Sequence, residues 1–208
     1  MRILITAGPT REKIDPVRFI TNCSSGKMGY SIAQAAVELG HEVVLVSGPV
    51  SISAPQGLSE FHGIESAKEM ADKVFELFPA CDAAIMVAAV ADYRPAEICQ
   101  SKMKKSDGDL YLRLERTTDI LAGLGKLKQP EQTLVGFAAE TDDLLANALG
   151  KLERKNLDWI VANKVSDGFG SATNTVILLG RDGSRVDVET ADKLTVARKI
   201  LDIVLPKA

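Results

Sequence analysis

The sequence predicts an α/β fold of three layers, with helices on both faces of a mixed, mostly parallel sheet. Three observations predict it. Short β-rich apolar runs alternate with helical patterns, the order that gives parallel strands joined by helices. The runs are continuously apolar, as expected for strands covered on both faces. The C-terminal part changes character and places two β-rich runs around Arg181-Asp182-Gly183, a hairpin signal.

The first strand is Arg2–Thr6, followed by a helix over Gly26–Leu39 that Gly40 stops. A strand over Glu42–Ser47, a helix over Ser66–Phe78 and a strand over Ala83–Ala88 come next, Rossmann-like in their alternation. A helix over Asp119–Lys128 leads to a strand over Thr133–Ala138. Thr141, with Asp142 and Asp143, starts a helix that runs to Lys155. A strand over Asp158–Ala162 is followed by the hairpin of Thr175–Leu179 and Ser184–Val188. The amphipathic helix Asp192–Leu205 closes the fold. There is no repeat and no low-complexity segment.

Two connections are too long to be simple joins. One runs from Ala7 to Ser25. The other, about 93–117, holds Lys102-Met103-Lys104-Lys105, the turn Ser106-Asp107-Gly108-Asp109 and alternating Leu110, Leu112 and Leu114, and reads as a hairpin flap. Long loops at the carboxyl ends of parallel strands are where α/β folds put their chemistry.

The bulk numbers narrow the function. The 208 residues suit one domain spanning 1–208, and 46% hydrophobic with 25% charged residues can support a substantial core. A net charge of −3 gives no case for nucleic-acid or membrane binding. Cys23, Cys81 and Cys99 form neither a disulfide framework nor a zinc spacing. The N-terminus reads as a strand rather than a signal peptide. No apolar run approaches the ~20 residues that span a bilayer, so a cytoplasmic protein is expected.

Several groups could carry chemistry. Ser24, Ser25 and Gly26 open the first helix, where backbone N–H groups favour an anion; taken alone, they also fit an ordinary N-cap. Gly26-Lys27 is not a P-loop, because Thr21 stands where the first glycine belongs and Met28 where Ser or Thr would bind magnesium. Ala7-Gly8-Pro9-Thr10 follows the first strand in place of G-x-G-x-x-G, and no Tyr precedes a Lys by four positions, which weakens hydride transfer. Lys151 and Lys155 share a helix face and can hold a polyphosphate or simply meet solvent. Alternation puts Lys102 and Lys104 on one face of an extended flap, with Lys105 beside them. There a charge run also serves against edge aggregation. Asp92, just past a strand end, suits a magnesium ligand or a ribose contact, or a salt bridge with Arg94. His41 and His62 read as structural.

In combination these fragments are specific. Ile5-Thr6-Ala7-Gly8-Pro9-Thr10-Arg11-Glu12, Asp15-Pro16-Val17-Arg18-Phe19-Ile20, Asn22 and Ser24-Ser25-Gly26-Lys27-Met28-Gly29 resemble the start of bacterial phosphopantothenoylcysteine synthetases. So do Ala88-Ala89-Val90-Ala91-Asp92-Tyr93-Arg94, Lys102-Met103-Lys104-Lys105, Gly136-Phe137-Ala138-Ala139-Glu140-Thr141 and Lys155-Asn156. The resemblance runs nearly end to end. It implies a ligase that joins 4'-phosphopantothenate to L-cysteine through an acyl-cytidylate, using CTP with Mg2+ (or Mn2+) and releasing CMP and pyrophosphate.

The same resemblance maps the CTP site onto Met86, Val87, Ala88, Asp92, Lys102, Thr118, Asp119, Ile120, Leu121, Phe137, Lys151 and Lys155, with Asp92 the metal ligand. Gly8, Ser24, Ser25 and Gly26 join the binding set. Asn22 and Lys102 are the expected catalytic residues; the Asn22 amide can both donate and accept hydrogen bonds around the intermediate. A homodimer is implied, with the flap of one subunit near the other's site, and a flavin-dependent phosphopantothenoylcysteine decarboxylase as a fused or separate partner. Two departures stand out. Cys23 occupies a position where relatives commonly have histidine and reads as a small packed side chain, and Thr117-Thr118-Asp119 lacks a proline before the aspartate. The rival readings are an NAD(P)-dependent oxidoreductase and a non-catalytic nucleotide-binding regulator.

Overall fold

The computed structural model describes residues 1–105, 107–140, 143–164 and 173–206. The chain begins with β1 (Arg2–Ala7), turns into a hairpin of β2 (Arg11–Asp15) and β3 (Arg18–Thr21), and enters α1 (Lys27–Glu38). β4 (Glu42–Ser47), β5 (Glu60–Gly63), α2 (Ala67–Leu77) and β6 (Ala83–Met86) follow. The flap leaves through β7 (Tyr93–Pro95) and returns through β8 (Leu114–Arg116) to α3 (Ile120–Leu127). β9 (Thr133–Glu140), α4 (Leu144–Arg154) and β10 (Trp159–Lys164) come next. The hairpin of β11 (Thr173–Gly180) and β12 (Arg185–Asp192) precedes α5 (Lys193–Val204).

The main sheet has eight strands in the order β12-β11-β10-β9-β6-β1-β4-β5. From β5 to β10 every pairing is parallel, and β11 runs antiparallel to both of its neighbours. Counted along the chain, the parallel strands lie in the order 3-2-1-4-5-6 of a doubly wound sheet, which reverses direction between β1 and β6. There Thr6 stands opposite Met86, and Met86 opposite Gly136.

The three expected layers are present. Alternate residues of a strand point to opposite faces. Ile3 and Ile5 accordingly join the core under α1 and α5, whereas Leu4 joins the core under α2, α3 and α4. Each fully buried Leu or Ile contributes about 1.5–3 kcal/mol. The double cover explains why these strands read as unbroken apolar runs.

The differences from the sequence reading have local causes. β6 ends at Met86, not at Ala88, because the Val87 and Ala88 N–H groups turn away to the Thr6 hydroxyl, at 3.1 and 3.2 Å, instead of extending a ladder. β5 escapes the reading because this edge strand, Glu60-Phe61-His62-Gly63, carries no apolar run. Among the described residues the flap pairs as strands only at its base, where β7 meets β8, and Leu110 and Leu112 lie outside that pairing. Of the expected start of α4, Thr141 and Asp142 fall outside the described residues, and Asp143 caps without a side-chain bond.

The long first connection holds the β2–β3 hairpin. Gly8, at φ +71°, turns the chain out of β1, and Gly29 lets α1 approach it: a Cβ there would lie 2.6 Å from that of Ala7. Turning after the first strand and permitting close helix packing are the tasks of the outer glycines in a dinucleotide fingerprint. Here the hairpin separates them. Asp15 secures the insertion, accepting from the Val17 and Arg18 N–H groups at 2.9 Å, from the Arg18 guanidinium, and from Met103 N–H of the flap at 3.1 Å.

Candidate active site at the carboxyl ends of the parallel strands

The site is organised by the loop 87–92, which leaves β6 at the point where the strand order reverses. Buried threonines hold it. The Thr6 hydroxyl accepts from Val87 and Ala88, and the Thr10 hydroxyl accepts from Ala91 N–H at 3.0 Å. Ala89 N–H donates to the Gly8 carbonyl at 2.9 Å, and the Thr117 hydroxyl to the Ala91 carbonyl at 2.6 Å. Asn22 spends its amide nitrogen on the loop, donating to the carbonyls of Ala89 at 3.0 Å and Val90 at 3.2 Å.

A cavity of about 410 Å³ lies on one side of this loop. Met86, Ala88 and Asp92 line it from β6 and the loop, Thr118, Asp119, Ile120 and Leu121 from the start of α3, and Phe137 from β9. Lys151 and Lys155 project from α4 into the same space, as their i, i+4 spacing predicts. The Lys151 ammonium donates to the Phe137 carbonyl at 2.8 Å. That of Lys155 donates to Asp119 at 2.9 Å, and Asp119 also caps α3 by accepting from Ala122 N–H at 3.0 Å. Burial pushes the Asp119 carboxyl up. The hydrogen bonds from Lys155 and Ala122, with the charges of Lys155 and Lys151, prevail and hold it below its ordinary value.

A second cavity, about 310 Å³, opens on the other side. Ser24, Ser25, Gly26 and Lys27 bring the N-terminus of α1 to it, and Val87 faces this side rather than the first cavity. Gly26 takes the N-cap position with no side-chain cap and no acidic residue in the first turn, which leaves that helix end suited to an anion. Asn163, Asn174 and Lys193 complete the lining from three distant segments. Lys193 is 7% exposed, and burial, then the Lys27 charge, lower its pKa. The two cavities share Ala88, Val90, Asp92, Phe137 and Lys151 as a common wall.

Other expected residues are placed differently. Lys102 lines neither cavity; with Arg18, Lys104 and Lys105 it lines a separate cleft of about 590 Å³ on the flap. Gly8 also lines neither and acts through its carbonyl. Arg94 pairs with Glu115 at 2.7 Å, which leaves Asp92 outside that salt bridge. Cys23 is exposed rather than packed, and His62 has a partner in Glu60 at 2.8 Å. No group of three metal-ligating side chains occurs among the described residues. Asp92, which lines both cavities, is a carboxylate that can hold one ion together with ligand oxygens and water, as magnesium often is held. No helix among the described residues is long and apolar enough to cross a membrane.

Lys193, Asn163, Asn174 and Thr6 escaped the sequence reading. One signal was available: Lys193 follows a good N-cap, Asp192, and a lysine in the first turn of a helix opposes the helix dipole.

The family described as the DNA/pantothenate metabolism flavoprotein C-terminal domain matches residues 1–207. The coenzyme A biosynthesis bifunctional protein CoaBC of Bacillus subtilis is 52% identical over 202 residues, which cover 96% of this chain and 50% of that protein. The chain thus spans about half the length of the curated relatives it matches. A crystal structure of the C-terminal domain of CoaBC has a TM-score of 0.83 at 46% identity, covering 97% of this chain and 92% of that one. A Cab2 variant in complex with phosphopantothenate-cysteine has a TM-score of 0.82 at 18% identity, covering 98% and 84%, a likeness of fold.

Proposed function

Since the chain belongs to the DNA/pantothenate metabolism flavoprotein C-terminal domain family, we propose that it ligates 4'-phosphopantothenate to L-cysteine in coenzyme A biosynthesis, activating the carboxylate with CTP. The observation that carries this reading is the pair of cavities with one shared wall. Two anionic substrates can lie on opposite sides of it with their reacting ends meeting at Ala88 and Asp92. The relatives named CoaBC, and the phosphopantothenate-cysteine bound by the distant fold relative, support the same substrates.

The nucleotide occupies the first cavity, with its phosphates against Lys151 and Lys155. The phosphate of the acid sits at the uncapped start of α1, near Lys27 and Lys193, and its carboxylate reaches the wall. A carboxylate oxygen attacks the α-phosphorus, and pyrophosphate leaves. The cysteine amine then attacks the acyl carbon, loses its proton and expels CMP. Condensing a carboxylate with an amine directly is slow, and a nucleotidyl ester supplies the leaving group; the protein's share is positioning and charge neutralisation. Mg2+, or Mn2+, would be held by Asp92 and phosphate oxygens, and would neutralise phosphate charge. With the Asn22 nitrogen committed to the loop carbonyls, its amide oxygen is the part that can accept a hydrogen bond from the incoming amine.

Lys102 acts from the flap. Val17, Phe19, Ile98, Leu110 and Tyr111 are exposed on the β2–β3 hairpin and the flap, Tyr111 by 87%. Apolar surface of this kind suits an interface, and a second copy covers it, bringing one subunit's Lys102 to the other's nucleotide. A flavin-dependent decarboxylase, in the same chain or apart, takes the product. Free thiols and a thiol co-substrate suit the cytoplasm.

A coupled pyrophosphate assay with CTP or ATP, phosphopantothenate, and cysteine present or withheld tests the reading. Pyrophosphate should appear with CTP and phosphopantothenate, and CMP should follow only when cysteine is added. Absence of pyrophosphate with CTP would overturn it.

A further inference from the structure

Lys155 can serve the nucleotide only as well as the end of its helix is held, and the residue holding that end touches neither cavity. Asn156 follows Lys155 with φ +55°, the left-handed conformation that closes a helix and that glycine adopts with less strain. What Asn156 adds over glycine is a side chain with two bonds. Its Nδ2 donates to the Gly125 carbonyl in α3 at 2.6 Å, and its Oδ1 accepts from the guanidinium of Arg181 in the β11–β12 turn. Arg181 is fixed in turn, donating from Nε to the Leu157 carbonyl and from its N–H to the Asp158 carbonyl, each at 2.9 Å. α3 meets this corner backbone to backbone: a Cβ on Gly125 would stand 1.9 Å from the Lys155 carbonyl oxygen.

These contacts close a ring. From the Lys155 ammonium it runs to Asp119 at the start of α3, along α3 to Gly125, across to the Asn156 side chain, and back to the Lys155 backbone. Both ends of α3 are therefore referred to the same short segment just past the end of α4, and the aim of the Lys155 side chain depends on that closure.

We propose that Asn156 is a positioning residue that directs Lys155 at the phosphates of the nucleotide. This rests on reading the first cavity as the polyphosphate site. Asn156→Gly keeps the left-handed turn, so the helix still ends correctly, and removes both side-chain bonds. Calorimetric titration with inorganic tripolyphosphate, which needs the lysines but no base and no chemistry, reads the effect directly. The dissociation constant should rise about 3- to 10-fold, the scale of one or two lost hydrogen bonds, and the KM for CTP should rise with it more than kcat falls. In a Lys155→Ala background the same substitution should change tripolyphosphate binding by less than about 2-fold, since residues that act as a unit are not additive. Arg181→Gln, loosening Asn156 from its far side, should give a smaller loss of the same sign.

Unchanged binding in Asn156→Gly, or an equal fold-loss with and without Lys155, would overturn the proposal. A wild-type protein that binds tripolyphosphate but releases no pyrophosphate from CTP would break the ligase reading and leave this one standing. A wild-type protein that does not bind tripolyphosphate at all would overturn this proposal, while the ligase reading would still stand or fall on pyrophosphate release from CTP.

Discussion

The wall between the cavities and the flap beside it are built by opposite means. The wall hangs from the buried ends of β1 and β6, and its turns are held by buried hydroxyls, backbone carbonyls and the Asn22 amide. The flap is held at its base by two strands of three residues each and tied to the β2–β3 hairpin at Cys99 and Met103, and it exposes leucines, a tyrosine and lysines. The contrast separates two kinds of work. Groups that hold substrates before reaction belong on a support that does not move, whereas a charge needed only in the transition state can arrive with a mobile element that also excludes water.

The sharpest way to break this division is Lys102→Gln. If the flap brings transition-state charge, CTP should still bind while acyl-cytidylate formation falls by about 10²–10³, the usual cost of one such contact. Rapid-quench pyrophosphate release at saturating CTP measures it, with Lys104→Gln and Lys105→Gln as much milder comparisons. Equal damage at all three positions would make the flap a diffuse cationic surface.

Thr6→Val tests the wall. The isosteric change leaves the Val87 and Ala88 N–H groups without their acceptor, and about 2–4 kcal/mol of stability should go with them. Thr6→Ser should restore most of it, read by denaturant unfolding alongside CTP binding. A smaller effect is expected at the helix lysines. Lys151→Ala or Lys155→Ala should raise the KM for CTP roughly 10-fold with a lesser change in kcat, as loss of a charged contact made in both ground and transition states does. A larger fall in kcat than rise in KM would move them to the flap's side of the comparison.

The mildest test concerns the tie between the β2–β3 hairpin and the flap. The Arg18 guanidinium, against the opposing effect of burial and with help from the Val17, Met103 and Arg18 N–H groups, holds the Asp15 carboxyl far below the ordinary carboxylate range. A depressed native pKa stabilises above the unfolded value near 3.8 and ceases to as pH falls through the native one. Wild type should therefore exceed Asp15→Asn in stability at neutral pH, with the gap narrowing only below about pH 4. A constant gap across that range would mean that Asp15 acts by packing rather than charge.

What could be read in the sequence follows the same contrast. The strands of the parallel sheet announced themselves because both faces are buried, and Lys151 and Lys155 because helical spacing fixes their shared face. The β2–β3 hairpin, built from Arg11-Glu12-Lys13-Ile14-Asp15 and Arg18-Phe19-Ile20-Thr21, is mostly polar and lies off the main sheet, so no apolar run marked it. The second cavity draws Lys193, Asn163 and Asn174 from three segments, and only the tertiary fold brings them together. Lys102 was assigned through resemblance, and its place in a cleft of its own shows that sequence position does not fix where a flap rests.

The shared wall carries one more consequence, and it is thermodynamic. Ala88, Val90, Asp92, Phe137 and Lys151 belong to both cavities, so a ligand that shifts them on one side changes what the other side meets. Free energy around a closed cycle of two binding steps sums to zero. If the two cavities take the nucleotide and the acid as proposed, whatever factor the nucleotide imposes on the affinity for the acid, the acid must impose on the affinity for the nucleotide. Order of addition is then a matter of rates alone, and any inhibitor that displaces the loop from one face is felt by the substrate on the other.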